Sequence, residues 1–121
     1  FSFIQWLERL EKEESSQGKV IFLRNIMVKP EMKASGYSQR FVKFLEDGKE
    51  VRVAAVLALC SSGDKKYIRL LTDLYDREDS WEVRVSVAKG LNNFPYGDVK
   101  ELLIKMTKDT EWWVRYNALK S

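Results

Sequence analysis

Histidine is absent from the 121 residues, cysteine occurs once, and there are only two prolines and six glycines. Without histidine, Ser-His-Asp and Cys-His catalysis, histidine general bases and histidine metal ligands are all excluded. The single Cys60 has no partner for an internal disulfide, and no Cys/His cluster can hold zinc. It falls at the end of an apolar run, where a small buried hydrophobe in a reducing compartment is expected. So few prolines and glycines argue against an all-β protein built on many tight turns. The longest apolar run, 53–60, is too short to cross a bilayer as a helix. An excess of one charge is also lacking. The 21 Lys+Arg stand against 18 Asp+Glu, a net charge of +3. The two signs are interspersed, whereas a dedicated nucleic-acid binder concentrates its bases in a patch.

What is present is a 45% hydrophobic and 32% charged chain, the balance of one globular domain with a modest core. Within it lies a repeat. Glu50-Val51-Arg52-Val53-Ala54-Ala55 returns as Glu82-Val83-Arg84-Val85-Ser86-Val87, and again as Trp113-Val114-Arg115-Tyr116-Asn117-Ala118. The arginines are 32 and 31 residues apart. Val51, Ala55 and Leu59, like Val83, Val87 and Leu91, fall on one stripe of a 3.6-residue period. An acidic turn precedes each copy: Asp47-Gly48, residues 76–80, and Asp109-Thr110. Asp79 or Ser80, and Asp109 or Thr110, are natural N-caps for the second helices. Amphipathic stretches at 37–46, 67–75 and 99–108 precede the turns. Each unit therefore reads as helix, turn, helix. Gly63-Asp64 and Pro95-Tyr96-Gly97-Asp98 punctuate the links, and Lys89-Gly90 is expected to relax its helix.

Three acidic-turn and Val-Arg copies in register resemble HEAT repeats, in particular short bacterial ones related to phycocyanobilin-lyase-like repeats. The resemblance covers residues 37–121. It departs at Val87, where an alanine is expected, and the third copy stops before its final leucine. It implies an all-α, right-handed α-solenoid (an α-α superhelix) of stacked hairpins, with units at about 37–63, 64–95 and 96–121. Residues 1–36 carry no Val-Arg, although Arg24 is available. They are expected to form a degenerate hairpin or amphipathic cap, with 29–36 as a loop. The first residue is not Met and the last lies in a helical pattern, so a piece of a longer protein is expected.

The resemblance also implies that Arg52, Arg84 and Arg115 form a structural ladder with the acidic turn of their own or the adjacent unit. A guanidinium fork suits carboxylates, and the alternative is a row that binds phosphate or carboxylate ligands. Trp112 matches Trp81 in distance from its arginine and is expected to pack structurally. Trp113 matches Glu50 and Glu82 and is the better surface candidate. Trp113 and Tyr116 are the expected anchors of a partner-binding face, with Lys89 and Lys120 on its rim. The competing expectation is that both aromatics pack against a further unit.

No nucleophile sits beside a base and no glycine-rich phosphate loop follows a strand. HEAT-like DNA glycosylases and phycobilin lyases use this scaffold, but neither a basic channel nor a bilin site is evident. The expectation is a non-catalytic, monomeric, cytoplasmic scaffold for protein–protein interaction, without cofactor or metal and without membrane insertion by this segment. The alternatives are a nucleic-acid-binding HEAT-like domain, or the soluble domain of a membrane-tethered protein.

Overall fold

The computed structural model describes residues 2–34 and 36–120. Among these, every regular element is helical, and no strand occurs. The α-helices are α1 (Phe3–Lys12), α2 (Ser16–Met27), α3 (Glu31–Ala34), α4 (Lys49–Ser61), α5 (Ile68–Arg77), α6 (Trp81–Gly90), α7 (Tyr96–Met106) and α8 (Trp112–Lys120). 3-10 segments occupy Gly36–Glu46, Lys65–Tyr67 and Leu91–Asn93.

Packing follows chain order. The even-numbered helices form a series in which α2 lies against α4, α4 against α6, and α6 against α8. Each is also packed by the element before its own turn: α1 on α2, the Gly36–Glu46 segment on α4, α5 on α6 and α7 on α8. Residues 2–34 thus supply a helical hairpin whose second member joins the series. The core is continuous along it, from Leu7 and Leu23 through Val51 and Leu59 to Leu91 and Met106. Every buried side-chain nitrogen and oxygen among the described residues has a hydrogen-bond partner.

Three expectations change. The 37–46 stretch is a 3-10 helix instead of an α-helix. Its buried residues Ser38, Phe41 and Phe44 recur every third position, so three residues per turn puts them on one line. The Ser38 hydroxyl lies 2.8 Å from that of Tyr67, which fixes the line against the next unit. Second, the expected loop at 29–36 contains one helical turn, α3, because Met32 is buried there; its Ser35 lies outside the described residues. Third, Pro95 is the N-cap of α7, which starts at Tyr96, three residues before the apolar stripe at Val99 suggests.

Gly90 does more than loosen its helix. A Cβ there would collide with the Cys60 side chain, only 2.8 Å from its Cβ. The missing side chain is what lets α6 approach α4. Cys60 itself is fully buried, and burial pushes its thiol up to about 12. Gly63 sits just past α4 at φ +68°, the left-handed conformation in which glycine ends helices.

Candidate interaction face

The second helices share a register that their polar contacts make explicit. Arg52 sits four residues after the α4 N-cap, Gly48, and its Nη1 donates to its own turn at the Asp47 carbonyl (2.8 Å). Its Nε and Nη2 reach forward to Glu78 in the next turn, at 2.8 and 3.2 Å. Arg84 repeats this pattern. Nη1 donates to the carbonyls of Glu78 and Asp79, while Nε and Nη2 grip Asp109 at 3.0 and 3.2 Å. Each arginine therefore takes a carbonyl from its own turn and a carboxylate from the next. Arg115 donates to its own Asp109 carbonyl at 2.7 Å and meets no carboxylate among the described residues.

The Arg84 rung is the more enclosed. Asp109 also accepts from the Tyr75 hydroxyl (2.5 Å) and from the Glu111 N–H (2.9 Å). Burial works to raise the Asp109 carboxyl, but the hydrogen bonds from Tyr75, Arg84 and Glu111 outweigh it and hold it below the usual range. Burial and the same carboxylate push the Tyr75 phenol upward.

A further rung was missed in the sequence. Lys19 lies four residues after the α2 N-cap, Ser15, and its Nζ reaches Asp47 at 2.7 Å. It occupies the arginine position, so the signal was distance from the cap instead of the Val-Arg pair. Glu78, the acceptor for Arg52, was visible only as part of an acidic turn. The expected caps behave differently from the sequence reading. Ser80 is the N-cap of α6, but its hydroxyl donates to Glu82 instead of accepting from the backbone. Asp109 accepts from the Glu111 N–H, two residues ahead of it.

The same register places the predicted anchors. Trp113 corresponds to Gln17, Glu50 and Glu82, Tyr116 to Val20, Val53 and Val85, and Lys120 to Arg24, Leu57 and Lys89. Trp113 and Tyr116 are 42% and 47% exposed. Trp112 is equally open, which corrects the expectation that it packs into the structure. Its position falls on solvent in every unit, as Ser16, Lys49 and Trp81 do. Its indole instead stacks on Trp113 with ring centres 4.0 Å apart, and both rings meet Tyr116 edge-on at 6.2 Å. Lys120 Nζ stands 5.3 Å from the Tyr116 ring centre. Lys89 is exposed on the adjacent α6, at the register position of Lys120, and outside this ring cluster.

Further along the same side, an open groove of about 790 Å³ lies between α2 and α4. Val20, Ile21 and Val53 give it an apolar floor, and the Lys49–Glu82 ion pair (2.9 Å) lies at its edge. Among the described residues no group of three or more Cys, Asp or Glu side chains could hold a metal ion. No described helix is long and apolar enough to cross a membrane. Comparison with family models, curated proteins and solved structures finds no match for this chain.

Proposed function

We propose that the chain is a non-catalytic, HEAT-like right-handed α-solenoid that binds a protein partner in the cytoplasm through the open side of its second helices. The consecutive α2–α4–α6–α8 packing and the forward-reaching rungs support the solenoid. The observation that carries the binding role is the Trp112–Trp113–Tyr116 cluster. Three large rings are held against one another yet left open to solvent. Truncating exposed Trp and Tyr at such sites costs about 2 kcal/mol or more of binding. Trp113 stands at a position that is open or half-open in every other unit, so packing against a further unit does not account for it. Lys89 and Lys120 supply a basic rim that speeds encounter with an acidic partner.

Site-specific photocrosslinking tests this reading. A crosslinker at Tyr116 is expected to capture a discrete protein in cells, while one at the exposed Lys100 of α7 does not. Equal capture at the two positions, or none, would argue against the face. Capture of nucleic acid at Tyr116 would favour the nucleic-acid-binding alternative.

A further inference from the structure

The groove between α2 and α4 is built from matched positions. Gln17 and Val20 line it from α2, and Glu50 and Val53 line it from α4. These are equivalent residues of consecutive units, so the two helices lie side by side and point the same way. The apolar floor is narrow along each helix. On α2 it is bounded by Gln17 and Arg24, one turn to either side of Val20. Val20 and Val53 are half-buried, and Ile21 beside them is 58% exposed. The apolar strip thus crosses from one helix to the next instead of following either. A partner helix, about 10 Å across with its side chains, would overhang it onto the polar rows. A single extended chain, about 5 Å wide, would not.

Charge divides the rim. Lys49 is held by Glu82 at 2.9 Å, and that pair is neutral. Arg24 and Glu50 are both exposed, and neither makes a hydrogen bond or an ion pair with any described residue. They stand at opposite corners of the groove. Arg24 lies seven residues beyond Gln17, the equivalent of Glu50, which is about 10 Å along the helix axis. With neighbouring axes about 9 Å apart, the diagonal from Arg24 to Glu50 is about 14 Å. It passes between Val20 and Val53. In an extended chain every second side chain points to the same face, and three such side chains span about 13 Å. Positions i, i+2 and i+4 of one extended segment therefore reach the two charges and the floor between them.

From this geometry we infer that the groove binds an extended peptide segment of the partner with the pattern acidic–x–apolar–x–basic, in either chain direction. The acid pairs with Arg24, the apolar side chain rests on Val20 and Val53, and the base pairs with Glu50. The inference rests on the reading of the second-helix side as the binding side, and it names the chemistry recognised there. Each rim charge repels a segment that brings its own sign, so the two residues that attract the matched peptide also reject others. At so open a rim the charges supply selectivity more than affinity.

Titration of the isotope-labelled chain with capped pentapeptides, read by NMR amide shifts, tests it. Glu-Thr-Leu-Thr-Lys or its reverse, Lys-Thr-Leu-Thr-Glu, is expected to move the amides of Val20 and Val53. Peptides with two acids or two bases around the same leucine should bind about tenfold more weakly, and glycine in place of the leucine should abolish binding. Glu50→Lys should turn the preference toward the doubly acidic peptide and Arg24→Glu toward the doubly basic one, each by about tenfold. Both positions are exposed, so helicity by circular dichroism should be unchanged; Lys100→Glu on α7 should alter nothing. No shift with either matched peptide, or equal binding of all four charge patterns, would overturn the proposal. So would movement of the same amides by decanoate and by no peptide, which would assign the floor to an acyl chain. Movement on raising the protein concentration alone would assign it to a second copy and overturn the proposal too. Selective peptide binding without capture at Tyr116 would strike the aromatic anchors only; capture at Tyr116 without peptide binding would strike the groove only.

Discussion

Between α4 and α8 the rungs are arginines, while between α2 and α4 the rung is a lysine. Arg84 makes four hydrogen bonds from one planar group: two carbonyls behind, two carboxylate oxygens ahead, all at fixed angles. Lys19 offers a point charge and a single contact to Asp47. The arginine rungs also reach forward to turns that follow an α-helix, α5 or α7, whereas the lysine rung reaches a turn that follows the 3-10 segment. The comparison shows that the stacking contact tolerates a change of chemistry as long as a cation stands four residues past the cap and an anion stands in the next turn. What changes is how much orientation the contact imposes.

The largest effect should come from Arg84→Ala. It leaves Asp109, whose side chain is almost fully buried, without its guanidinium, and costs about 2–4 kcal/mol by urea denaturation. A midpoint equal to that of Lys89→Ala, a surface change expected to stay within about 0.5 kcal/mol, would remove the rung from the stabilising contacts. Next is Gly90→Ala, which forces a methyl into Cys60 and should cost about 1–3 kcal/mol. Its counterpart at the other end, Asn25→Ala, faces solvent and should change thermal stability by no more than about 0.5 kcal/mol. Similar losses for the two would mean that α2 already has a neighbour on its open side.

Lys19→Ala should cost only about 1 kcal/mol or less, because the pair is partly solvated. A loss as large as that of Arg84→Ala would break the distinction between the rungs. The smallest effects are in titration. Lys19 and the Gly48 N–H hold the Asp47 carboxyl below its ordinary value, as the Asp109 carboxyl is also held low. A carboxylate lowered by folding contributes stability that is complete above its unfolded value, about 4, and that disappears as pH falls through the folded value. Carboxyl carbon shifts read by NMR should place both groups low. Lys19→Ala should raise Asp47 alone and Arg84→Ala should raise Asp109 alone; a shift at both sites from either change would show that the rungs are coupled.

The units containing Arg52, Arg84 and Arg115 were legible because a helix stripe, a Val-Arg pair and an acidic turn coincide in each. Lys19 was not, since its helix keeps the spacing but replaces the pair by Lys19-Val20. The helical nature of 37–46 could be read, but its 3-10 winding could not. Phe41, Val42, Phe44 and Leu45 fit an α stripe as well, and the buried line through Ser38 decides the matter. The forward direction of the rungs was also hidden, because an acidic turn lies on both sides of Arg52 and of Arg84. For the candidate face, the helical spacing of Trp113, Tyr116 and Lys120 suggests one side of α8, and in the structure Trp113 and Tyr116 are exposed with Lys120 beside the Tyr116 ring. The stacking of Trp112 on Trp113 was unforeseen, since neighbours on a helix diverge by about 100° at the backbone. Long side chains bend back together when neither finds a pocket.

The two-sided grip of Arg52 and of Arg84 also makes the hairpins interchangeable. A rung consults only the turn behind it and the turn ahead, never a residue further off. Were 64–95 excised, Arg52 would meet Asp109 in the place of Glu78, and the splice would carry a matched pair. Length is thus free to vary by whole hairpins, as a zip fastener can lose teeth and still close, and the 28-, 26- and 25-residue spans of the three rungs show that the links between hairpins absorb a residue or two without losing the pair.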